Sequence, residues 1–113
     1  MIHRLFVYGT LMPGEINAGF LEPLKGSWRQ GCVQGALSPQ GWGAAQGFPA
    51  LVPGDDSAQV RGFVLEAEAL SDFWQQLDAF EGEEYERRLT TVQLDNGESV
   101  PAYAYFGRVD GEP

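Results

Sequence analysis

The chain has 113 residues and a formal net charge of −9, from 16 acidic and 7 basic side chains. Its 43% hydrophobic and 12% aromatic content is typical of a globular protein, so we expect one folded domain over residues 1–113. The acidic excess argues against a nucleic-acid partner and against an anionic membrane surface, because no basic patch could neutralise phosphate groups.

The 15 glycines and 7 prolines of the chain predict many turns between short elements. Residues 5–8 are predicted to form a short buried strand, which ends at Gly9. A glycine there lets the backbone turn sharply, so a valine in its place is expected to clash. A short helix is expected over residues 15–22 and a weak strand over residues 28–37. Residues 38–54 are expected to form a long loop.

The second half of the chain begins with a strand predicted over residues 60–68. This strand should be central in its sheet, because both of its sides are largely apolar. A helix over residues 71–81 follows, and then a hairpin of residues 89–94 and 100–106 around an Asn-Gly turn. This order of elements predicts an α+β fold, with a small mixed sheet packed on one main helix and short helical segments. The strands could close into a barrel, although the sequence alone does not require it.

The predicted helix carries an apolar stripe that ends in a carboxylate. The stripe has the three- and four-residue spacing of one helical face and consists of Leu70, Phe73, Trp74 and Leu77. Glu81 continues this spacing, with Ser71 as the predicted N-cap and Gly82 as a left-handed C-cap. A carboxylate that faces an apolar interior holds its proton to higher pH, which makes Glu81 a candidate general acid or base. Alternatively, Glu81 swings outward at a frayed last turn and is simply solvated.

Three further features could contribute to a site, and each has an ordinary structural explanation. Tyr8, Gly9, Thr10 and Leu11 follow a strand, and their backbone N–H groups could converge on an anion; the alternative is a plain turn. Residues 81–88 form a charged run that is typical of a solvated loop, but Tyr85 within it must pack or hydrogen-bond. Tyr103 and Tyr105 lie on one face of the last strand, as a core stripe would.

Metal and disulfide chemistry find little support in the composition. Cys32 is the only cysteine, so no intramolecular disulfide can form, and it is best explained as a small inert side chain. With one histidine, His3, a zinc site would need mostly carboxylate ligands. The N-terminal apolar run is too short for a signal peptide, and no segment has the length of a membrane span. We therefore expect a cytoplasmic protein without a metal.

Taken in order, the motifs of this chain resemble those of the gamma-glutamylcyclotransferase-like family. The resemblance extends over residues 5–106, and the chain looks like a compact bacterial-type member of the family. The matching segments are YGTL at residues 8–11, FPALVPG at residues 48–54, and LDAFEG at residues 77–82 followed by Tyr85 and Arg87. The first and last of these segments are specific in combination.

The resemblance implies a fold, a reaction and a set of site residues. The fold is a small mixed one, built around a barrel-like sheet. The reaction releases the γ-glutamyl group of a small molecule as 5-oxoproline, without a metal or other cofactor. Glu81 takes the place of the catalytic glutamate of the family. Tyr8, Gly9, Thr10 and Leu11 take the place of the substrate-holding turn, whose backbone amides bind the α-carboxylate, and Tyr85 and Tyr105 are expected to line the pocket.

Several alternatives remain open from the sequence. The substrate could be a γ-glutamyl amino acid, a γ-glutamyl amine or a γ-glutamylated biosynthetic intermediate. The domain could instead bind a small acid without converting it, or hydrolyse a γ-glutamyl amide with Glu81 activating water. A purely structural or partner-binding role would leave Glu81 without a reason to face the core. A monomer or a small homodimer would fit equally well.

Overall fold

The computed structural model describes residues 2–9, 12–15, 18–38, 50–52, 59–82 and 85–107. Within these ranges, one seven-stranded sheet is packed against one α-helix and several short 3-10 segments. The strands are β1 (Arg4–Val7), β2 (Ser27–Gln34), β3 (Ala36–Ser38), β4 (Ala50–Val52), β5 (Gln59–Glu66), β6 (Tyr85–Leu94) and β7 (Ser99–Gly107). The helix is α1 (Trp74–Glu81), and the 3-10 segments are Ala18–Phe20, Glu22–Leu24 and Glu68–Asp72.

Five of the strands close into a barrel in the order β1-β5-β2-β6-β7. Parallel pairing between β1 and β7 closes it, with Leu5 opposite Tyr103 and Phe6 opposite Ala104. The antiparallel pair β3 and β4 extends the sheet beside β7, where Leu51 lies opposite Phe106. The α+β fold with a barrel-like sheet is therefore confirmed, as is the central position of β5, which pairs with β1 and with β2.

The two sides of the barrel strands bury two separate apolar clusters, because successive side chains of a strand point to opposite faces. The cluster inside the barrel consists of Phe6, Val33, Leu51, Val60, Val64, Val92, Leu94, Ala102, Ala104 and Phe106. The cluster beneath α1 and the 3-10 segments consists of Leu5, Val7, Leu21, Leu65, Ala67, Leu70, Leu77 and Tyr105. In β7 the small alanines therefore face the confined interior, and the large tyrosines face the helix.

Close approach of β1 to β5 requires a glycine at position 62. A Cβ atom at Gly62 would lie 2.2 Å from the carbonyl oxygen of Val7 and 2.7 Å from Cζ of Phe6. Real Cβ atoms do not approach other heavy atoms this closely, so Gly62 lets the Phe6 ring pack over β5 inside the barrel.

The α-helix is shorter than its sequence pattern predicted. It begins at Trp74, after the 3-10 segment Glu68–Asp72, and its N-cap Phe73 makes no side-chain capping hydrogen bond. The prediction of Ser71 as the N-cap is therefore wrong. The helix ends at Glu81 as expected, and the Gly82 N–H donates to the carbonyl oxygen of Asp78 at 3.0 Å. The prediction of a left-handed C-cap is wrong, because Gly82 has a positive φ of 87° but not the ψ of that conformation. The ψ of −179° at Gly82 then directs the chain toward β6 instead of completing a left-handed turn.

The remaining predictions differ from the structure in extent. The hairpin is confirmed, with Gly97 at a φ of 96°, but β6 begins at Tyr85 and not at residue 89. The charged run therefore enters a strand instead of remaining a loop, because the antiparallel partner β7 pairs with it as far as Tyr85. The region 15–22 contains a 3-10 segment where it is described. The predicted loop over residues 38–54 is wrong where it is described, because residues 50–52 pair with β3 and β7 as strand β4; residues 39–49, 53 and 54 lie outside the described residues.

Candidate active site

Glu81 is the last residue of α1, and its side chain is partly buried. Loss of solvent around the carboxyl raises its pKa from 4.5 to about 7. Among the described residues, no hydrogen-bond donor or cation partners this carboxylate. The helix remains regular up to Glu81 because Gly82 caps it. The geometry therefore gives Glu81 an apolar setting rather than the full solvation of a frayed end.

Tyr8 lies at the end of β1, close enough to Glu81 for the two groups to interact. Its hydroxyl donates to the carbonyl oxygen of Tyr105 at 2.7 Å and accepts the N–H of Leu51 at 3.0 Å. Burial raises the pKa of this hydroxyl, and the charges of Glu81 and Tyr85 add to the rise. Tyr8 is therefore a neutral residue that joins the end of β1 to β7 and β4.

The predicted substrate-holding turn consists of Tyr8, Gly9, Thr10 and Leu11, and the structure describes the first two of these residues. The Gly9 carbonyl oxygen accepts the N–H of Met12 at 3.0 Å, which closes the turn. A Cβ atom at Gly9 would meet no described atom within 4 Å, and the residue does not have a left-handed φ. The Cβ atom of a valine at this position would therefore meet no atom of the described residues, so the structure gives no support to the expected clash. Thr10 and Leu11 lie outside the described residues, so their proposed role in substrate binding stays a prediction.

Tyr85 and Tyr105 both lie near this end of the barrel. Tyr85 begins β6 and is partly buried against the cluster beneath α1. Tyr105 is only 4% exposed, and its hydroxyl donates to Oδ1 of Asp78 at 2.5 Å. Burial raises the pKa of Tyr105, as do the hydrogen bond and the charge of Asp78. Their role in lining the pocket stays a prediction, but the Tyr105 hydroxyl is directed at α1.

Sequence reasoning assigned no role to Asp78 and Arg87, which connect α1 to the barrel. Nε of Arg87 lies 3.4 Å from Oδ1 of Asp78. The Arg87 guanidinium also lies over the rings of Trp74 and Tyr103, at 4.7 Å and 5.3 Å from their centroids. One signal could have suggested this contact: Trp74 and Asp78 are four residues apart and therefore share a helical face.

Two types of feature are absent from the part of the chain that the structure describes. There, no group of three or more histidine, cysteine, aspartate or glutamate side chains is arranged to hold a metal ion. No helix in the same residues has the length and apolar character needed to span a membrane. The chemically distinctive group in these residues is the carboxyl of Glu81, which has no hydrogen-bond or ion-pair partner among them and interacts electrostatically with Tyr8.

Comparison with known proteins identifies the family. The sequence profile of the family described as gamma-glutamyl cyclotransferase, AIG2-like, matches residues 5–112. The chain belongs to this family. The resemblance seen in the sequence motifs is therefore confirmed, and the fold and the general class of enzyme follow at the level of the family. Among curated proteins, none matches this chain.

Solved structures of related proteins share this AIG2-like fold. YkqA from Bacillus subtilis is 31% identical with a TM-score of 0.72, over 96% of this chain and 36% of YkqA. The chain thus spans about a third of the length of that protein. An AIG2-like protein from Mus musculus is 26% identical with a TM-score of 0.69, over 93% of this chain and 76% of the mouse chain.

A yeast gamma-glutamyl cyclotransferase specific to glutathione is a more distant structural neighbour. It is 14% identical, with a TM-score of 0.64, and the match covers 95% of this chain and 69% of the yeast chain. At this level of identity the similarity is one of fold alone. The sequence profile thus shows the family, and the solved structures share the fold of this chain.

Proposed function

We propose that this protein is a gamma-glutamylcyclotransferase that releases 5-oxoproline from a γ-glutamyl amine or γ-glutamyl amino acid. The observation that carries the proposal is the carboxyl of Glu81, which is desolvated, unpartnered among the described residues and has a pKa of about 7. A group that titrates near neutral pH can both accept and return a proton during one turnover. Membership of the AIG2-like family supports this chemistry.

The proposed reaction is intramolecular. The α-amine of the γ-glutamyl group attacks its own γ-carbonyl carbon, so that a new carbon–nitrogen bond closes the five-membered ring. The bond from that carbon to the leaving amine then breaks. Because nucleophile and carbonyl belong to one molecule, the enzyme needs mainly to hold the substrate in a conformation that allows attack.

Glu81 supplies the proton transfers in this mechanism. An α-amine with a pKa of about 8 or higher is mostly protonated at neutral pH and cannot attack. The ionised Glu81 accepts the ammonium proton and then delivers it to the departing amine. The attacking nitrogen loses a second proton as the ring closes, and this proton leaves with the amine as its ammonium ion, so Glu81 ends the cycle as it began. Its partly buried position keeps competing water away from the carboxylate, and a pKa near 7 makes both transfers accessible at neutral pH.

The turn that starts at Gly9 binds the α-carboxylate of the substrate in this proposal. The open space beside Gly9 leaves room for a ligand to reach the backbone, and the nearby Tyr8 is held by two hydrogen bonds. Thr10 and Leu11 would add backbone N–H donors. Tyr85 and Tyr105 would line the pocket. The cytoplasm is the proposed location, as expected from the composition.

The test is 5-oxoproline release from a panel of γ-glutamyl amino acids, γ-glutamyl-ε-lysine and simple γ-glutamyl amines. We expect release by the wild-type protein and by Glu68→Gln, which removes an exposed glutamate outside the site, and none by Glu81→Gln. Full activity of Glu81→Gln would refute the mechanism. Release of glutamate in place of 5-oxoproline would identify a hydrolase. Binding of panel compounds without conversion would identify a small-ligand-binding module.

A further inference from the structure

Asp78 connects the last turn of α1 to two strands of the barrel. Its Oδ1 accepts the hydroxyl of Tyr105 on β7 at 2.5 Å and lies 3.4 Å from Nε of Arg87 on β6. Its backbone carbonyl oxygen accepts the N–H of Gly82 at 3.0 Å. Asp78 thus contacts both strands and the residue that follows Glu81, and it lies one helical turn before Glu81 itself.

Arg87 extends this connection to the first turn of the helix. Its guanidinium lies 4.7 Å from the ring centroid of Trp74 and 5.3 Å from that of Tyr103. The two rings also contact each other edge to face, with centroids 5.1 Å apart. A single side chain of β6 therefore holds both turns of an eight-residue helix.

The direction of α1 depends on these contacts because the helix is short. Isolated helices of this length are not stable in water, and α1 has no side-chain cap at its N-terminus. Buried Leu77 attaches the helix to the apolar cluster, but apolar contacts are not directional. The short hydrogen bond from Tyr105 to Asp78 is directional, and it is in the turn that presents Glu81.

Tyr105 also connects the two sides of the proposed site. Its side chain holds Asp78, and its carbonyl oxygen accepts the hydroxyl of Tyr8, the first residue of the predicted substrate-holding turn. The distance between Glu81 and that turn is therefore set through one residue of β7.

We propose that Asp78 is a positioning residue, which Tyr105 and Arg87 hold so that the last turn of α1 aims the Glu81 carboxyl at the substrate bound near Tyr8. The inference rests on the proposed function. It assigns the Tyr105 hydroxyl to the helix and not to the substrate. A loss of this hydroxyl should therefore change the rate of the reaction more than the binding of the substrate.

The first test is Tyr105→Phe, which removes only the hydroxyl and leaves the charges of Asp78 and Arg87 in place. Misplacing a catalytic group by about 1 Å can cost about a hundredfold in rate, so we expect kcat to fall roughly 10- to 100-fold with KM within about twofold. The matched control is Tyr103→Phe, because Tyr103 is on the same face of β7 and its hydroxyl makes no hydrogen bond within the described residues. The control should retain the wild-type kcat. A rise in KM alone for Tyr105→Phe would overturn the proposal in favour of a substrate contact.

Variants of Asp78 separate positioning from simple stability. Asp78→Asn keeps an oxygen acceptor for Tyr105 and should restore part of the kcat that Asp78→Ala loses. The double variant Asp78→Ala/Tyr105→Phe should lose no more than Asp78→Ala, since both changes remove the same hydrogen bond. Additive losses of kcat, or equal losses for the asparagine and alanine variants, would contradict the proposal.

A measurement without substrate keeps this inference separate from the proposed function. The titration of Glu81 is followed by carboxyl carbon NMR, with its signal assigned from Glu81→Gln. We expect the Glu81 pKa to fall toward its ordinary value in Tyr105→Phe, as the loosened turn exposes the carboxyl, and to stay unchanged in Tyr103→Phe. If the wild-type protein releases no 5-oxoproline, the proposed function fails and this titration decides the positioning role. An identical Glu81 titration in wild type, Tyr105→Phe and Asp78→Ala would then overturn it.

Discussion

Replacing Glu81 with glutamine should make the protein more stable at alkaline pH, although it stops the proposed reaction. The carboxyl of Glu81 is partly buried, and desolvation raises its pKa from 4.5 to about 7. Ionisation is therefore less favourable in the folded protein than in the unfolded chain. Glutamine has nearly the same shape and carries no charge, so it removes this penalty while preserving the packing around the end of α1.

The magnitude follows from proton linkage. Between pH 4.5 and about pH 7 the folded protein retains a proton on Glu81 that the unfolded chain has released, so the free energy of unfolding falls as the pH rises. At 1.36 kcal/mol per pH unit, the penalty above this window is about 3 kcal/mol. Below it both states are protonated and the penalty is absent. For a chain of this size, such a difference corresponds to roughly 10 °C in Tm.

The assay is urea unfolding of wild type, Glu81→Gln and Glu68→Gln across the acidic to mildly alkaline range. We expect Glu81→Gln to match the wild type near pH 4 and to exceed it by about 3 kcal/mol near pH 8. Glu68→Gln, at an exposed site, should show no such divergence. A stability difference between Glu81→Gln and wild type that does not change with pH would refute the reasoning, because a desolvated carboxyl must produce a pH-dependent one.

Three further predictions concern the backbone around the site. Gly62→Ala should lower the free energy of unfolding by about 1–3 kcal/mol, because its Cβ would meet the Val7 carbonyl oxygen; an unchanged urea midpoint would contradict this. Gly9→Ala should change stability by less than about 0.5 kcal/mol, since its Cβ meets open space, and should raise KM for the γ-glutamyl substrate if the turn binds it. Steady-state kinetics with an unaltered KM would exclude substrate contact at Gly9. Tyr8→Phe should lower the free energy of unfolding in urea by about 1–3 kcal/mol, because it leaves the Leu51 N–H and the Tyr105 carbonyl oxygen without their partner. A free energy of unfolding equal to that of the wild type would contradict this and would show that water replaces the hydroxyl.

The patterns that the structure confirms are local ones. Helical spacing placed Glu81 on the same stripe as buried Leu77, and Gly82 marked the end of the helix. The Asn-Gly turn predicted the hairpin of β6 and β7, and alternation placed Tyr103 and Tyr105 on one face, where both contact α1. Each of these signals repeats within a single element, so the sequence shows it directly.

The patterns that failed were those in which the surroundings of a residue, and not its own type, decided the outcome. Ser71 has the residue type of an N-cap, but the 3-10 segment Glu68–Asp72 delays the start of α1 to Trp74. The run around Arg87 has the composition of a solvated loop, yet pairing with β7 draws it into β6. Gly9 suggested a constrained turn, whereas a Cβ atom at this position would meet no atom of the described residues.

The sequence by itself determined the family, the α+β class and the identity of Glu81 as the residue at the end of the helix, because motifs and periodicity lie within short segments. Only the tertiary structure decided that β1 closes the barrel against β7, through a pairing of residues almost a hundred positions apart. It likewise decided that Tyr105 reaches Asp78 with its hydroxyl and Tyr8 with its carbonyl oxygen. The raised pKa of Glu81 belongs to this second group, since desolvation depends on the groups that surround a carboxyl in space and not on its neighbours along the chain.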